Sequence, residues 1–176
     1  MSSSKIYNYQ IFSPGKVGLL SDNNYYTFLL DSIRNAERSI YAVIFIINIR
    51  QIDDPNLHVL ALLKEIEYAM WRGVDTKIII GSSEKSPIIS IVNEITYRYL
   101  RSKNIPVKYA SLKGESLHSK YVIIDSELVL LGSHNWSNNA FFRNKEDSIF
   151  CYSSDCAINL TKEFQSIWET GRDVKI

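Results

Sequence analysis

The side chains best placed to do chemistry in this chain lie in two short apolar runs, His118-Ser-Lys120-Tyr-Val-Ile-Ile-Asp125 and Leu131-Gly132-Ser133-His-Asn135. A strand sends successive side chains to opposite faces, so His118 and Lys120 share a face, as do Ser133 and Asn135. If Ser126-Glu127 is the centre of an even-numbered hairpin loop, Lys120 stands opposite Ser133 and His118 opposite Asn135, about 5 Å apart between Cβ atoms. The four polar groups would then converge on one small anion; a three-residue loop would break this register. Displacement at such an anion would need a nucleophile, neutralisation of its oxygens and an acid for a leaving oxygen. A single lysine or histidine is usually a solvated surface group. Four polar groups at matched spacing, beside Val122-Ile123-Ile124 and Leu128-Val129-Leu130-Leu131, point instead to a site.

The pattern His-x-Lys, four residues, Asp, six residues, Gly-Ser-x-Asn resembles the HKD motif of the phospholipase D superfamily, at His118, Lys120, Asp125, Gly132, Ser133 and Asn135. Trp136-Ser137 and Asn144-x-Glu146 are similar to the small bacterial nucleases of that superfamily, as are Trp168 and Gly171-Arg172-Asp173 near the end. The specific part covers residues 118 to 146. One departure is Val43-Ile44-Phe45-Ile46-Ile47-Asn48, where an aromatic followed by small polar residues is expected near the substrate.

Chemically, neutral His118 is the candidate nucleophile, forming a phosphohistidine that splits one hard displacement into two easier ones. Lys120 would hold the nonbridging oxygens, with Ser133 and Asn135 donating further hydrogen bonds. No metal or other cofactor is implied, because no carboxylate cluster of the kind Mg²⁺ uses lies near the motif. One motif supplies one histidine, and the resemblance implies a homodimer whose two motifs form one site across a two-fold axis. The resemblance also implies that Glu146 hydrogen-bonds the other nitrogen of His118. By parity Asp125 lies off the catalytic face and has a supporting role, bracing the turn or the dimer contact; Gly132 supports the site likewise. His134 points away from His118 and reads as a core or surface histidine, and His58 as an exposed one.

With 176 residues, 45% hydrophobic and 22% charged, the chain has the size and balance of one globular domain spanning residues 1–176. The run Ile40 to Ile49 is about half of the roughly 20 residues a membrane helix needs, and Met1-Ser-Ser-Ser-Lys5 lacks a signal-peptide core. These features read as a soluble, cytoplasmic protein. Cys151 and Cys156 lack paired metal spacing and read as buried thiols. The formal net charge is +1, yet Arg98, Arg101, Lys103, Lys108, Lys113 and Lys120 face only Glu115 over that stretch. That is either a basic approach to a phosphate site, favouring nucleic acid, or a solvated helix face.

Nucleic acid, DNA ahead of RNA, is the leading substrate class. A phospholipid-hydrolysing enzyme would need an exposed apolar docking element, whereas the helices read as ordinary core stripes. A catalytically silent nucleic-acid-binding module would not need the full set of polar groups.

Strands are expected at Tyr7 to Phe12, Ser39 to Ile49, Thr76 to Ile80, Val107 to Ala110, in the motif hairpin and at Asp147 to Tyr152. Helical stripes are expected at Tyr26, Leu29, Leu30 and Ile33, capped by Asp22, and at Val59, Leu62, Leu63, Ile66 and Met70, stopped by Gly73. Further stripes fall at Ile88, Ile91, Val92, Ile95 and Tyr99, and at Ala157, Leu160, Phe164, Ile167 and Trp168. Strands alternating with helices predict an α/β fold: a mixed, mostly parallel sheet with helices on both faces.

Overall fold

A computed structural model describes residues 15–50, 57–81, 86–111 and 117–173. Seven strands form one sheet: β1 (Val17–Ser21), β2 (Ser39–Ile44), β3 (Asp75–Ile80), β4 (Val107–Tyr109), β5 (Lys120–Ile124), β6 (Leu128–Gly132) and β7 (Asp147–Tyr152). The order is β1-β7-β6-β5-β2-β3-β4. The β2–β3 and β3–β4 ladders are parallel and the other four antiparallel. The sheet is therefore mixed, as expected. Five strands run one way, with β5 and β7 opposed, so parallel direction dominates while parallel pairing is confined to the β2–β3–β4 side.

The helices are α1 (Asn23–Arg34), α2 (His58–Trp71), α3 (Pro87–Ser102), α4 (Asn138–Phe142) and α5 (Ser154–Thr170). Alternation along each strand builds two cores. Ile40, Ala42, Ile44, Ile78, Ile80, Val122, Ile124 and Leu130 pack with Leu29, Ile33, Leu62, Ile66, Tyr97 and Leu100 on one face. Val43, Ile79, Tyr121, Ile123 and Val129 pack with Ala157, Phe164 and Ile167 of α5 on the other. Gly73, at φ 94°, stops α2 as predicted. No described helix is long and apolar enough to cross a membrane.

Some expectations fall outside the described residues and others change. The Tyr7 to Phe12 strand and the opening of the second helix at Pro55-Asn56 lie outside the described residues, while β1 is a strand the sequence reading missed. It is a short edge strand on β7 that buries Leu20 while Val17 and Leu19 are exposed, too brief a pattern to stand out in the sequence. Asp22 does not cap α1 with its side chain: at φ 52° its carboxylate takes Lys145 Nζ at 2.6 Å and the Glu146 N–H at 3.3 Å. Finally, α3 buries Asn93, Thr96, Tyr97 and Leu100, and leaves Ile88 and Ile91 74% and 58% exposed. Hydrophobic periodicity misplaced this face because its buried polar groups bond to backbone.

The motif hairpin also differs. Ile124 pairs with Leu128 and Tyr121 with Leu131, so the loop is Asp125-Ser126-Glu127 and the register sits one residue from the predicted one. Asp125 and Ser126 adopt φ of 55° and 57°. The Asp125 carboxylate accepts the N–H groups of Glu37, Arg38 and Ser39 at 3.0, 2.7 and 2.9 Å, clamping the entry to β2 onto the turn. Burial pushes its carboxyl up, but these amides and the Arg38 guanidinium outweigh that and hold it below the usual range. Asp125→Ala is expected to cost about 2–4 kcal/mol, lowering Tm by roughly 5–12 °C, with unchanged turnover per folded molecule. Thermal melts alongside active-site-normalised rates check this; a catalytic defect without a stability defect would overturn the bracing role.

Candidate active site

All strand ends that carry motif residues meet at one edge of the sheet, where β2, β3 and β6 finish and β5 and β7 begin. Lys120 opens β5 opposite Ile44; its side chain belongs to the face of Val122 and Ile124, and the residue is 6% exposed. Its Nζ lies 3.1 Å from His118 Nδ1, 2.5 Å from the His118 carbonyl oxygen and 5.3 Å from the Phe45 ring. The exposed His118 imidazole rests on that ring at 4.7 Å. Burial pulls the Lys120 pKa down, and the Glu146 carboxylate opposes it only in part. An ammonium can only donate, so His118 Nδ1 accepts, and a neutral imidazole carries its hydrogen on Nε2.

Ser133 and Asn135 reach this edge by a route that strand parity does not describe. After Gly132 the chain leaves the ladder, crosses the start of β5, and pairs with the segment that follows β2. There Trp136 N–H donates to Ile46 O at 3.0 Å and Asn48 N–H to Trp136 O at 2.8 Å, while Asn135 Oδ1 accepts Ile46 N–H at 3.1 Å. Segment 45–46 thus touches both halves of the motif: Phe45 packs on His118, and Ile46 holds Asn135. Ser133 Oγ donates to Glu146 Oε2, and Asn144 Nδ2 donates to Glu146 Oε1 at 3.0 Å. The described bonds of the Glu146 carboxylate therefore go to Ser133 and Asn144, not to His118. The pairing of Lys120 with Ser133 and of His118 with Asn135 across a ladder is likewise replaced by this crossing.

Gly132 is required by close approach: a Cβ there would sit 2.1 Å from Ser148 Oγ and 2.5 Å from Asp147 O. Trp136 is fully buried, and Ser137 caps α4 by accepting Ala140 N–H at 3.2 Å.

His134 is the structural histidine its parity suggested. Fully buried and stacked on Tyr25 at 4.2 Å, it donates from Nε2 to Asp22 O at 3.1 Å and accepts Ser148 Oγ at 2.7 Å on Nδ1. Burial lowers its pKa against those partners. The folded state thus resists a proton that the unfolded chain takes up below about pH 6.5, so stability falls on acidification through that range. The slope from this one group is at most about 1.4 kcal/mol per pH unit. His134→Phe should flatten it in urea titrations at pH 5 to 7, and an unchanged slope would sink the assignment. His58 is not the isolated surface group expected, because it packs on Phe142 at 4.2 Å and Tyr26 at 5.3 Å.

Of the basic stretch, Lys120 is in the site itself and Lys113 lies outside the described residues, while Arg101 and Lys103 do not approach this edge. As a crossover helix, α3 runs from the site edge back to the opposite one, where Arg101 faces Asp173 and Lys103 faces Glu67, both at 3.8 Å. Arg50, which follows the segment paired with Trp136, and Arg143 and Lys145, which precede Glu146, are exposed cations that the sequence reading did not single out; Lys145 Nζ pairs with Asp22 Oδ2 at 2.6 Å. Among the described residues no group of three or more His, Cys, Asp or Glu is arranged to hold a metal ion.

Comparison with known proteins bears on the family and the fold. The chain resembles a mitochondrial cardiolipin hydrolase of Xenopus laevis, 34% identical over 70 residues, or 40% of this chain and 33% of that protein. It also resembles cardiolipin synthase 2 of Bacillus anthracis, 25% identical over 115 residues, covering 65% and 22%. The chain thus spans a third or less of these relatives' length. Its fold matches a phospholipase D family member, Nuc from Salmonella typhimurium, with TM-score 0.73 at 22% identity, over 92% of this chain and 100% of that one. NucT from Helicobacter pylori aligns with TM-score 0.69 at 22% identity over 90% and 99%. The family model described as "Cardiolipin synthase, PLD-like domain" matches residues 29–168, and the chain belongs to that family.

Proposed function

We propose that this protein is a metal-independent phosphodiesterase acting on nucleic acid through a phosphohistidine, with one active site shared by two copies of the chain. The observation that carries the reading is the sequestered Lys120 ammonium, 3.1 Å from the exposed His118 imidazole under Phe45. A phosphate group that draws Lys120 Nζ away from Nδ1 lets the imidazole hydrogen move to Nδ1, which leaves the Nε2 lone pair to attack. The Nε2–P bond forms as the P–O bond breaks, and the leaving oxygen takes a proton from an acid on the far side. Water then attacks the phosphohistidine, gives its proton to that same group and frees His118. Asn135, its Oδ1 committed to Ile46, has its NH₂ end to offer the phosphoryl oxygens.

The far-side acid is the reason for two copies. His134 is sealed in the core and His58 lies in an aromatic cluster at the start of α2, so a second His118 supplies that acid by symmetry. Exposed Arg50, Arg143 and Lys145, near in the chain to segments of the site, suit a polyanion.

A second substrate reading, an anionic phospholipid, has its own support. The exposed Ile88 and Ile91 lie in the first turns of α3, at the site edge, and form the kind of apolar element that the sequence reading found missing. The deciding experiment incubates the purified protein in excess EDTA with single-stranded DNA, plasmid DNA and cardiolipin vesicles, beside His118→Ala. DNA cleavage that resists the chelator and vanishes in the mutant is expected. Cleavage of the lipid alone would transfer the proposal to the second substrate, and activity that requires added metal would overturn the mechanism.

A further inference from the structure

The Phe45 ring lies against both His118 and Lys120, and it sits where the chain has already left β2. A backbone turning out of a sheet loses its ladder partners, so something else must hold it. That role falls to α3. Asn93, fully buried, donates from Nδ2 to Phe45 O and to Gly81 O, both at 2.8 Å, and accepts Ile47 N–H on Oδ1 at 3.0 Å. Thr96, one turn later and also fully buried, donates to Ile47 O at 2.6 Å. Gly81 completes the seat, since a Cβ there would lie 2.6 Å from Phe45 Cδ2 and 2.8 Å from its carbonyl oxygen. Three of the four valences of the Asn93 amide are thus spent on the backbone around Phe45, an outlay that core packing does not require.

We infer that Asn93 is a positioning residue for His118 and Lys120, acting through the backbone of Phe45 to Ile47. The inference rests on the proposed roles of His118 and Lys120, and it also explains why the apolar departure at 43–48 is compatible with a working site. The polar residues that fix the segment are supplied by α3 rather than by the segment itself. Because the same segment gives Ile46 N–H to Asn135, a shift there moves both halves of the site together. A displacement of about 1 Å in such a constellation costs on the order of 100-fold in rate.

The test pairs a spectroscopic with a kinetic readout. The ring protons of His118 lie in the ring current of Phe45, so Phe45→Leu defines their shift without the aromatic ring. In Asn93→Ala they are expected to move toward those values, while His134 resonances stay put. Turnover should fall about 10- to 100-fold with KM within about 2-fold. The Asn93→Ala, Phe45→Leu double variant should be no slower than the slower single variant, because both act at one point. Unchanged His118 resonances and turnover in folded Asn93→Ala, or losses that multiply, would overturn the inference. Should Asn93→Ala fail to fold, Thr96→Val is expected to move the same readouts by less, and wild-type values there would count against it. If the wild type cleaves no phosphodiester, the resonances decide alone: a moved His118 signal keeps the positioning and sinks the functional reading.

Discussion

His118→Ala is expected to lower phosphodiester cleavage by on the order of 10⁴-fold or more, with the Tm essentially unchanged. The chemical loss is large because the proposed covalent intermediate forms on His118, so without it the reaction reverts to direct attack by water. The structural loss is small because the imidazole is exposed and precedes β5, with Phe45 and Lys120 as its described neighbours. Substantial activity in the folded mutant would remove His118 as nucleophile. The same variant examines the shared site. When His118→Ala chains are refolded with wild type, activity should follow the square of the wild-type fraction, since a mixed pair lacks one histidine; a linear decline would mean that each chain works alone.

Lys120→Met is expected to move activity and stability in opposite directions. On the proposed mechanism, loss of the sequestered Lys120 charge should cost about 10³-fold in kcat, because that charge is worth most where water is excluded. Yet the charged form is disfavoured by burial, so its pKa is lowered and the folded protein bears a cost that methionine does not. The sign follows from linkage. The cost is present in full below the folded pKa and fades as pH rises toward the ordinary lysine value of about 10.4, so the variant should equal or exceed wild-type stability at neutral pH. Urea unfolding at pH 7 and pH 10 checks it, and a mutant both inactive and strongly destabilised would show that Lys120 is structural. A trade of stability for activity of this kind is common where a site must keep an ion partly dry.

Much of this was legible in the chain. The strands β2, β3 and β4 and helix α2 follow from the Ser39, Thr76 and Val107 runs, the α2 stripe and Gly73, because burial there is apolar and local patterning reports it, although β2 ends at Ile44 rather than at the expected Ile49. Two of the misses share a cause, polar groups spent on backbone. Asp125, read only as a brace of unknown contacts, grips the amides of residues 37 to 39 and joins the loop, which shifts the hairpin register by one. Asn93 and Thr96 rotate the buried face of α3 away from its isoleucines. Neither device has a period. The motif residues were identifiable from type and spacing, but the crossing of residues 133–136 over β5, which brings Asn135 and Ser133 to that edge, is a long-range event. Strand parity reached the correct neighbourhood by the wrong path.

That crossing also sets when the site can exist. The contacts that assemble it join residues far apart in sequence, Ile46 to Asn135, Ser133 to Glu146 and Asp22 to Glu146. A growing polypeptide that has already released His118 and Lys120 from the ribosome still lacks the strap that positions their partners, and it gains that strap only after β7 has emerged to hold Gly132. Synthesis therefore yields no partial catalyst along the way: truncated products ending before about residue 150 carry the reactive pair without a site to use it.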